Sequence, residues 1–174
     1  MLFKNKKNIA TEILILDDNS SEKINIQFKK LKYLKNIEIL RLSENLGSQK
    51  AIAVGLDYLK KNKKDFFITV MDGDGEDSPF QINKMLNLAM NNKEFVITAN
   101  RKKRKEPLII IFLYKIHLII TFLFSLKWIS FGNFSTFHKK NLRKILSNNS
   151  SWYAHSSSVL KNCNILRLYS KREK

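Results

Sequence analysis

Phe66-Phe67-Ile68-Thr69-Val70-Met71-Asp72-Gly73-Asp74-Gly75-Glu76-Asp77 is the stretch on which the fold turns. Six mostly apolar residues run unbroken and then stop at an acid. A short run of this kind, without alternation and rich in aromatic and β-branched side chains, predicts a strand covered on both faces. The next six positions hold four carboxylates, at 72, 74, 76 and 77. Like charges this close repel unless a cation compensates. Asp72, Asp74 and Glu76 offer hard oxygen donors, a set that suits Mg2+ or Mn2+. A cation kept partly hydrated there would bind two phosphates and neutralise a departing diphosphate. The plain alternative is a solvated acidic turn. An EF-hand loop needs Gly at its sixth position and Glu at its twelfth, where this chain has Asp77 and Asn83. An aspartyl-phosphatase motif continues into Thr or Val, where this chain has Gly75-Glu76.

Outward from this stretch, strand and helix patterns alternate. Glu12 to Leu16 reads as a buried strand running into Asp17-Asp18-Asn19-Ser20. Ser20 or Ser21 caps an expected helix carrying Ile24, Phe28, Leu31 and Leu34. Ile37 to Leu42 is a second strand, and Asn45-Leu46-Gly47-Ser48 opens a helix with Ala51, Ile52, Gly55, Leu56 and Leu59. Pro79 opens another helix, where its missing N–H costs nothing. Phe95 to Ala99 is a fourth strand, ending at Asn100-Arg101. This alternation predicts an α/β fold with a mostly parallel central sheet and helices on both faces. Ligands in such folds bind beyond the carboxyl ends of the strands. Three of the four strands end in Asp17-Asp18, Asp72 and Arg101, which places a candidate site there.

The second half differs. A basic loop, Arg101 to Lys105, precedes the apolar stretch Leu108 to Leu126. About 20 apolar residues would span a bilayer. Lys115 sits mid-stretch, where it would cost roughly 2.5–3.5 kcal/mol at the membrane centre. Tyr114, His117, Thr121 and Ser125 make one weakly polar stripe. The expectation is an interfacial or core helix, with a spanning helix as the alternative. A strand from Asn133 to Phe137, a basic helix from Lys139 to Leu146 and a strand from Ile165 to Tyr169 complete the chain.

The formal net charge is +17, from 32 Lys and Arg against 15 Asp and Glu. It points to a polyanionic partner or to compositional drift. A nucleic-acid module needs exposed aromatics among its basic residues. Here Phe66, Phe67, Phe112, Phe122 and Phe124 lie in apolar runs, so no nucleic-acid partner is expected. The single cysteine, Cys163, excludes an internal disulfide and suits a reducing compartment. No secretory signal is visible in the first residues. The expected location is cytoplasmic, at the inner face of the membrane, with peripheral contact.

Taken in order, these motifs resemble family 2 glycosyltransferases of the GT-A type. Ile13 to Ser20 looks like that family's strand and Asp-Asp-x-Ser turn. Asn45-Leu46-Gly47 with Ala51 and Gly55-Leu56 looks like its Asn-x-Gly loop and helix. Val70 to Pro79 looks like its Asp-x-Asp metal motif, in the form found in dolichyl-phosphate-mannose synthases and bacterial polyprenyl-phosphate glycosyltransferases. Arg101 and Arg104 match a basic loop, and Gly132-Asn133-Phe134-Ser135 with Lys139-Lys140 is similar to an acceptor-side segment. The resemblance implies an inverting, metal-dependent transfer from a UDP- or GDP-linked sugar. It implies that Asp18 contacts the base or ribose while Asp17 shapes the turn. Asn45 and Gly47 would line the donor site, and Arg101 and Arg104 would grip phosphate. Asp72 would sit near the ribose or diphosphate, Asp74 would be the principal metal ligand, and Glu76 would complete the coordination.

One departure bears on the acceptor. After Asp77 the acids are Glu94, Glu106 and Glu173, and no Glu-Asp motif supplies a base. A hydroxyl acceptor needs such a base, whereas a phosphate is already an anion. A polyprenyl or other lipid phosphate is therefore the expected acceptor, with a saccharide or surface polymer as the alternative. A second departure is the lack of a Pro-x-Tyr-Asn-Glu-like segment before Ile13. With the stop at Lys174, it leads to the expectation of one truncated domain over 1–174. Its donor half would be 12–106 and its acceptor half 107–174, and an inactive remnant is the further alternative.

Overall fold

The computed structural model describes residues 9–22, 24–25, 31–75, 77–100, 116, 131–147 and 150–169. The first strand, β1 (Thr11–Asp17), pairs in parallel with β2 (Leu34–Arg41), placing Ile13 opposite Ile37 and Asp17 opposite Arg41. The strand expected from Ile37 starts three residues earlier, so Leu34 belongs to β2 and not to the expected helix. Ile24 is exposed, and Phe28 lies outside the described residues.

Helix α1 (Ser48–Lys60) buries Ala51, Ile52, Ala53, Gly55 and Leu56 on one side. Gly55 lets the helix backbone come close to β1. A Cβ built on Gly55 would lie 2.6 Å from Leu16 Cδ1, closer than side chains approach one another. Gly at this helical position costs roughly 0.5–1 kcal/mol relative to Ala, which the close approach makes necessary.

The remaining elements are β3 (Phe67–Val70), α2 (Pro79–Asn91), β4 (Phe95–Asn100) and β5 (Ser135–His138). A short 3-10 turn over Lys139–Asn141 leads into α3 (Leu142–Ile145). Then come α4 (Ser150–Tyr153), α5 (His155–Asn162) and β6 (Asn164–Tyr169). β3, β5, β4 and β6 form a four-stranded sheet in that order.

Here the sequence expectation needs correction. The fold is α/β, but the described strands form two sheets, and the larger is mixed. β4 and β6 run parallel, while β5 lies antiparallel to both β3 and β4. The run Ser135 to His138 is fully buried, as a strand between two others should be. Its direction is set by the edge from which the chain re-enters the sheet, which residue periodicity does not encode.

Helices cover both faces of this sheet. Val96 and Phe137 point to the face packed by Ile52 and Leu56 of α1, Leu142 and Ile145 of α3, and Val159 of α5. Ile97 and Ala99 point to the opposite face, against Met85 and Ala89 of α2 and against Phe134. Adjacent residues of β4 thus serve opposite cores, as the two-residue repeat of a strand requires. At about 25 cal/mol per Å2 of apolar surface, these two clusters are the main source of stability.

Candidate functional site

β1 ends in Asp17 and Asp18, and the two carboxylates point to different partners. Asp17 is buried, and its Oδ1 accepts the Ser20 N–H at 2.9 Å. Arg41, its neighbour across the ladder, lies 3.6 Å from Oδ2 and donates to the Ser20 carbonyl at 2.8 Å. The bonds from Ser20, then the Arg41 charge, outweigh burial and hold the Asp17 carboxyl below the ordinary aspartate range. Between them Asn19 takes φ 58°, a left-handed conformation that Asn tolerates better than most residues.

Asp18 bridges to the loop before α1. Its two oxygens accept the N–H groups of Leu46 and Gly47 at 2.7 and 2.8 Å. Asn45 Oδ1 also accepts from Gly47, at 3.2 Å. Gly47 has φ 83°, a conformation open to glycine and strained for other residues. Asp18, Asn45 and Gly47 are therefore assembled into one loop by their own hydrogen bonds. As placed, the Asp18 carboxylate organises that loop.

β3 runs into the acidic loop. Asp72 is half-buried, Asp74 is exposed and Asp77 is buried. Asp77 Oδ2 accepts the Asp72 N–H at 3.2 Å, so the last acid of the cluster closes the turn formed by the others. Among the described residues, no group of three His, Cys, Asp or Glu is arranged to hold a metal. Glu76, Arg101 and Arg104 lie outside the described residues.

The antiparallel strand completes the site. Because Val70 pairs with Ser135, the start of β5 lies at the edge where β3 ends. Asn133, just before β5, donates from Nδ2 to Asp72 Oδ1 at 3.0 Å. Its Oδ1 accepts from Gln49 Nε2, in the first turn of α1, at 3.2 Å. Gln49 Oε1 in turn accepts the backbone N–H of His155, the first residue of α5, at 2.9 Å. Three separate segments are thereby joined to the acidic loop.

The His155 ring lies within the core, where burial pushes its pKa down to about 4, so it is neutral near pH 7. Ser135 Oγ, 3.0 Å from His155 Nε2, also donates its one hydrogen to the Asn133 carbonyl at 3.0 Å. The ring must then carry its proton on Nε2 and donate it to Ser135. Arg41, Gln49, Asn133 and His155 were not among the candidates taken from the sequence. Gln49 follows the expected Asn-x-Gly loop by two residues, and Asn133 lies in the noted Gly132-to-Ser135 segment, so position alone was a signal for both.

A hard cation bound by one or two carboxylates needs substrate phosphates and water to complete its shell, as Mg2+ commonly does. The donor set at 72 and 74 is chemically suited to that arrangement without a closed protein cage. The family model described as glycosyl transferase family 2 matches residues 3–154, which covers β1 to β5 and every candidate position above. No curated protein matches the chain.

Proposed function

The chain belongs to glycosyl transferase family 2, and on that premise we propose that it transfers a sugar from a UDP- or GDP-linked donor to a lipid phosphate at a membrane surface. The family implies a GT-A fold, a nucleotide-sugar donor and an acceptor. The observation that carries the reading of the site is a set of hydrogen bonds that ties its strand-end loops to one helix. Asp18 ties the turn after β1 to the Asn45–Gly47 loop, and Asn133 ties Asp72 to Gln49, two residues beyond that loop.

In this reading the nucleoside lies against the Asp17–Asp18 turn and the Asn45–Gly47 loop, while the diphosphate faces Asp72 and Asp74. Glu76 would join them in holding Mg2+ or Mn2+, and Arg101 and Arg104 would contact phosphate. A bound cation would supply charge neutralisation for the leaving diphosphate. An acceptor oxygen attacks the anomeric carbon from the face opposite the leaving group. The bond from that carbon to the diphosphate oxygen breaks, the electron pair leaves with the nucleoside diphosphate, and the configuration inverts.

The scarcity of bases supports a phosphate acceptor. Glu94 precedes β4, at the sheet edge opposite Asp72, and it is ion-paired with Lys140. The Lys140 hydrogen bond and charge outweigh burial and hold its pKa below the ordinary glutamate value. His155 is enclosed in the core. An acceptor that arrives as an anion avoids the need for a proton acceptor at this edge.

Thermal shift with UDP, GDP and their sugars, with and without Mn2+, tests the donor site. Stabilisation by one diphosphate that needs Mn2+ and is lost in Asp74→Ala is the expected result. No stabilisation by any of them from a folded protein would sink the reading. Transfer of labelled sugar to soluble saccharides, with polyprenyl phosphate ignored, would overturn the lipid-phosphate acceptor while leaving the donor site intact.

A further inference from the structure

We propose that Gln49 is a positioning residue for Asp72, acting through Asn133. The inference rests on the donor-site reading above and adds to it a residue outside the acidic loop.

A hydrogen-bond chain runs from α5 to Asp72, and both of its ends have a fixed sense. At one end is the backbone N–H of His155, which can only donate. At the other is the Asp72 carboxylate, which when ionised can only accept. Between them stand two amides, each with one accepting and one donating end. The His155 N–H requires Gln49 to turn its oxygen toward α5 and its NH2 toward Asn133. That NH2 requires Asn133 to present its oxygen to Gln49 and its own NH2 to Asp72. Asp72 requires the same orientation from the opposite direction. Both amides are thus fixed in one sense, and turning either would place oxygen against oxygen or NH2 against N–H.

The anchors are rigid. Gln49 sits in the first turn of α1, whose Ala51, Ile52 and Ala53 are buried. His155 begins α5, with its ring locked to Ser135 in the core. Asn133 is held through its carbonyl by Ser135 Oγ. Asp72, by contrast, follows the end of β3 and enters a glycine-containing loop. The chain therefore transmits the geometry of two packed helices to a carboxylate on a loop. Groups behind a metal ligand fix its orientation, and their loss weakens metal binding by about 10–100-fold.

Gln49→Glu separates this role from a merely structural one. A Glu carboxylate still accepts the His155 N–H, so the joint between α1 and α5 persists. It cannot donate to Asn133, whose amide then turns and sets its oxygen against Asp72. In thermal shift with the stabilising nucleoside diphosphate, Gln49→Glu should raise the half-saturating Mn2+ concentration by about 10-fold or more. The melting temperature of the metal-free protein should stay near that of the unmodified chain. Gln49→Ala should shift Mn2+ in the same direction. In an Asn133→Ala background, Gln49→Glu should have no further effect on Mn2+, because the connection is already cut.

Two failures are distinguishable. If Asp74→Ala abolishes metal-dependent binding while both Gln49 variants titrate like the unmodified chain, the donor site stands and the positioning role is wrong. An additive effect of Gln49→Glu in the Asn133→Ala background also overturns it. If no diphosphate stabilises the unmodified chain in the presence of Mn2+, the underlying reading fails and the positioning role falls with it.

Discussion

Asp17 and His155 show opposite ways of holding a titratable group inside a protein. Asp17 stays charged because the Ser20 N–H and then Arg41 favour the anion. A carboxylate whose folded pKa is lowered stabilises the fold above its unfolded pKa of about 3.9, and that stabilisation disappears as pH falls through the folded value. Asp17→Asn should therefore lower the melting temperature at pH 7, with the deficit shrinking as the pH is taken below about 4. A deficit that is the same at all pH values would mean that packing, not charge, matters at this position. His155 works the other way, since burial disfavours its cation. The unfolded chain takes up the proton near pH 6.5 and the folded chain only near pH 4. Stability should fall across that window by about 3 kcal/mol, at about 1.4 kcal/mol per pH unit. In His155→Gln this part of the pH dependence should vanish, as read by urea titrations at successive pH values.

At the scale of elements, β5 links the cores to the site. Phe137 is completely buried and belongs to the cluster that joins α1, α3 and α5 to the sheet. Phe137→Ala should cost about 3–5 kcal/mol, the usual range for such a deletion, with an unchanged dependence on urea concentration. A loss below 1 kcal/mol would mean that the surrounding helices close over the gap. Most elements were legible in the sequence because their residues have one dominant period. The runs ending at Leu16, Met71 and Ala99 lie within one or two residues of β1, β3 and β4. Pro79 opens α2 as its ring geometry suggests. The antiparallel direction of β5 was not legible, because Ser135 to His138 would show the same pattern in either direction. Nor were α4 and α5. Their Ser-rich sequence has little intrinsic helical preference, and buried His155, Ser158 and Val159 hold α5 in place. These two misses also account for the unforeseen part of the site. Asp17, Asp18, Asn45, Gly47 and Asp72 are local strand-end and loop features. Asn133 reaches Asp72 only because β5 is reversed, and Gln49 is oriented only because α5 begins where it does.

At the scale of the whole molecule, the charge of +17 is the largest quantity left to connect with the proposed acceptor. Basic residues near an anionic membrane surface contribute about 1 kcal/mol each, and the attraction decays over a Debye length, about 10 Å at 0.1 M salt. Among the described residues no helix is long and apolar enough to cross a membrane, and the stretch Leu108 to Leu126, apart from Ile116, lies outside them. Two forces are then available for surface contact, and salt separates them. If charge dominates, the protein should sediment with vesicles containing phosphatidylglycerol but not with phosphatidylcholine alone. At about 1 M salt, where the Debye length is about 3 Å, it should be released. Replacing Lys102, Lys103 and Lys105 together by Ala should weaken that sedimentation while leaving nucleotide-dependent stabilisation unchanged. If binding instead survives high salt and extends to neutral vesicles, the apolar stretch carries it, as an interfacial helix would. Sedimentation with neither vesicle would remove the membrane from the proposal, and a saccharide acceptor would become the better reading.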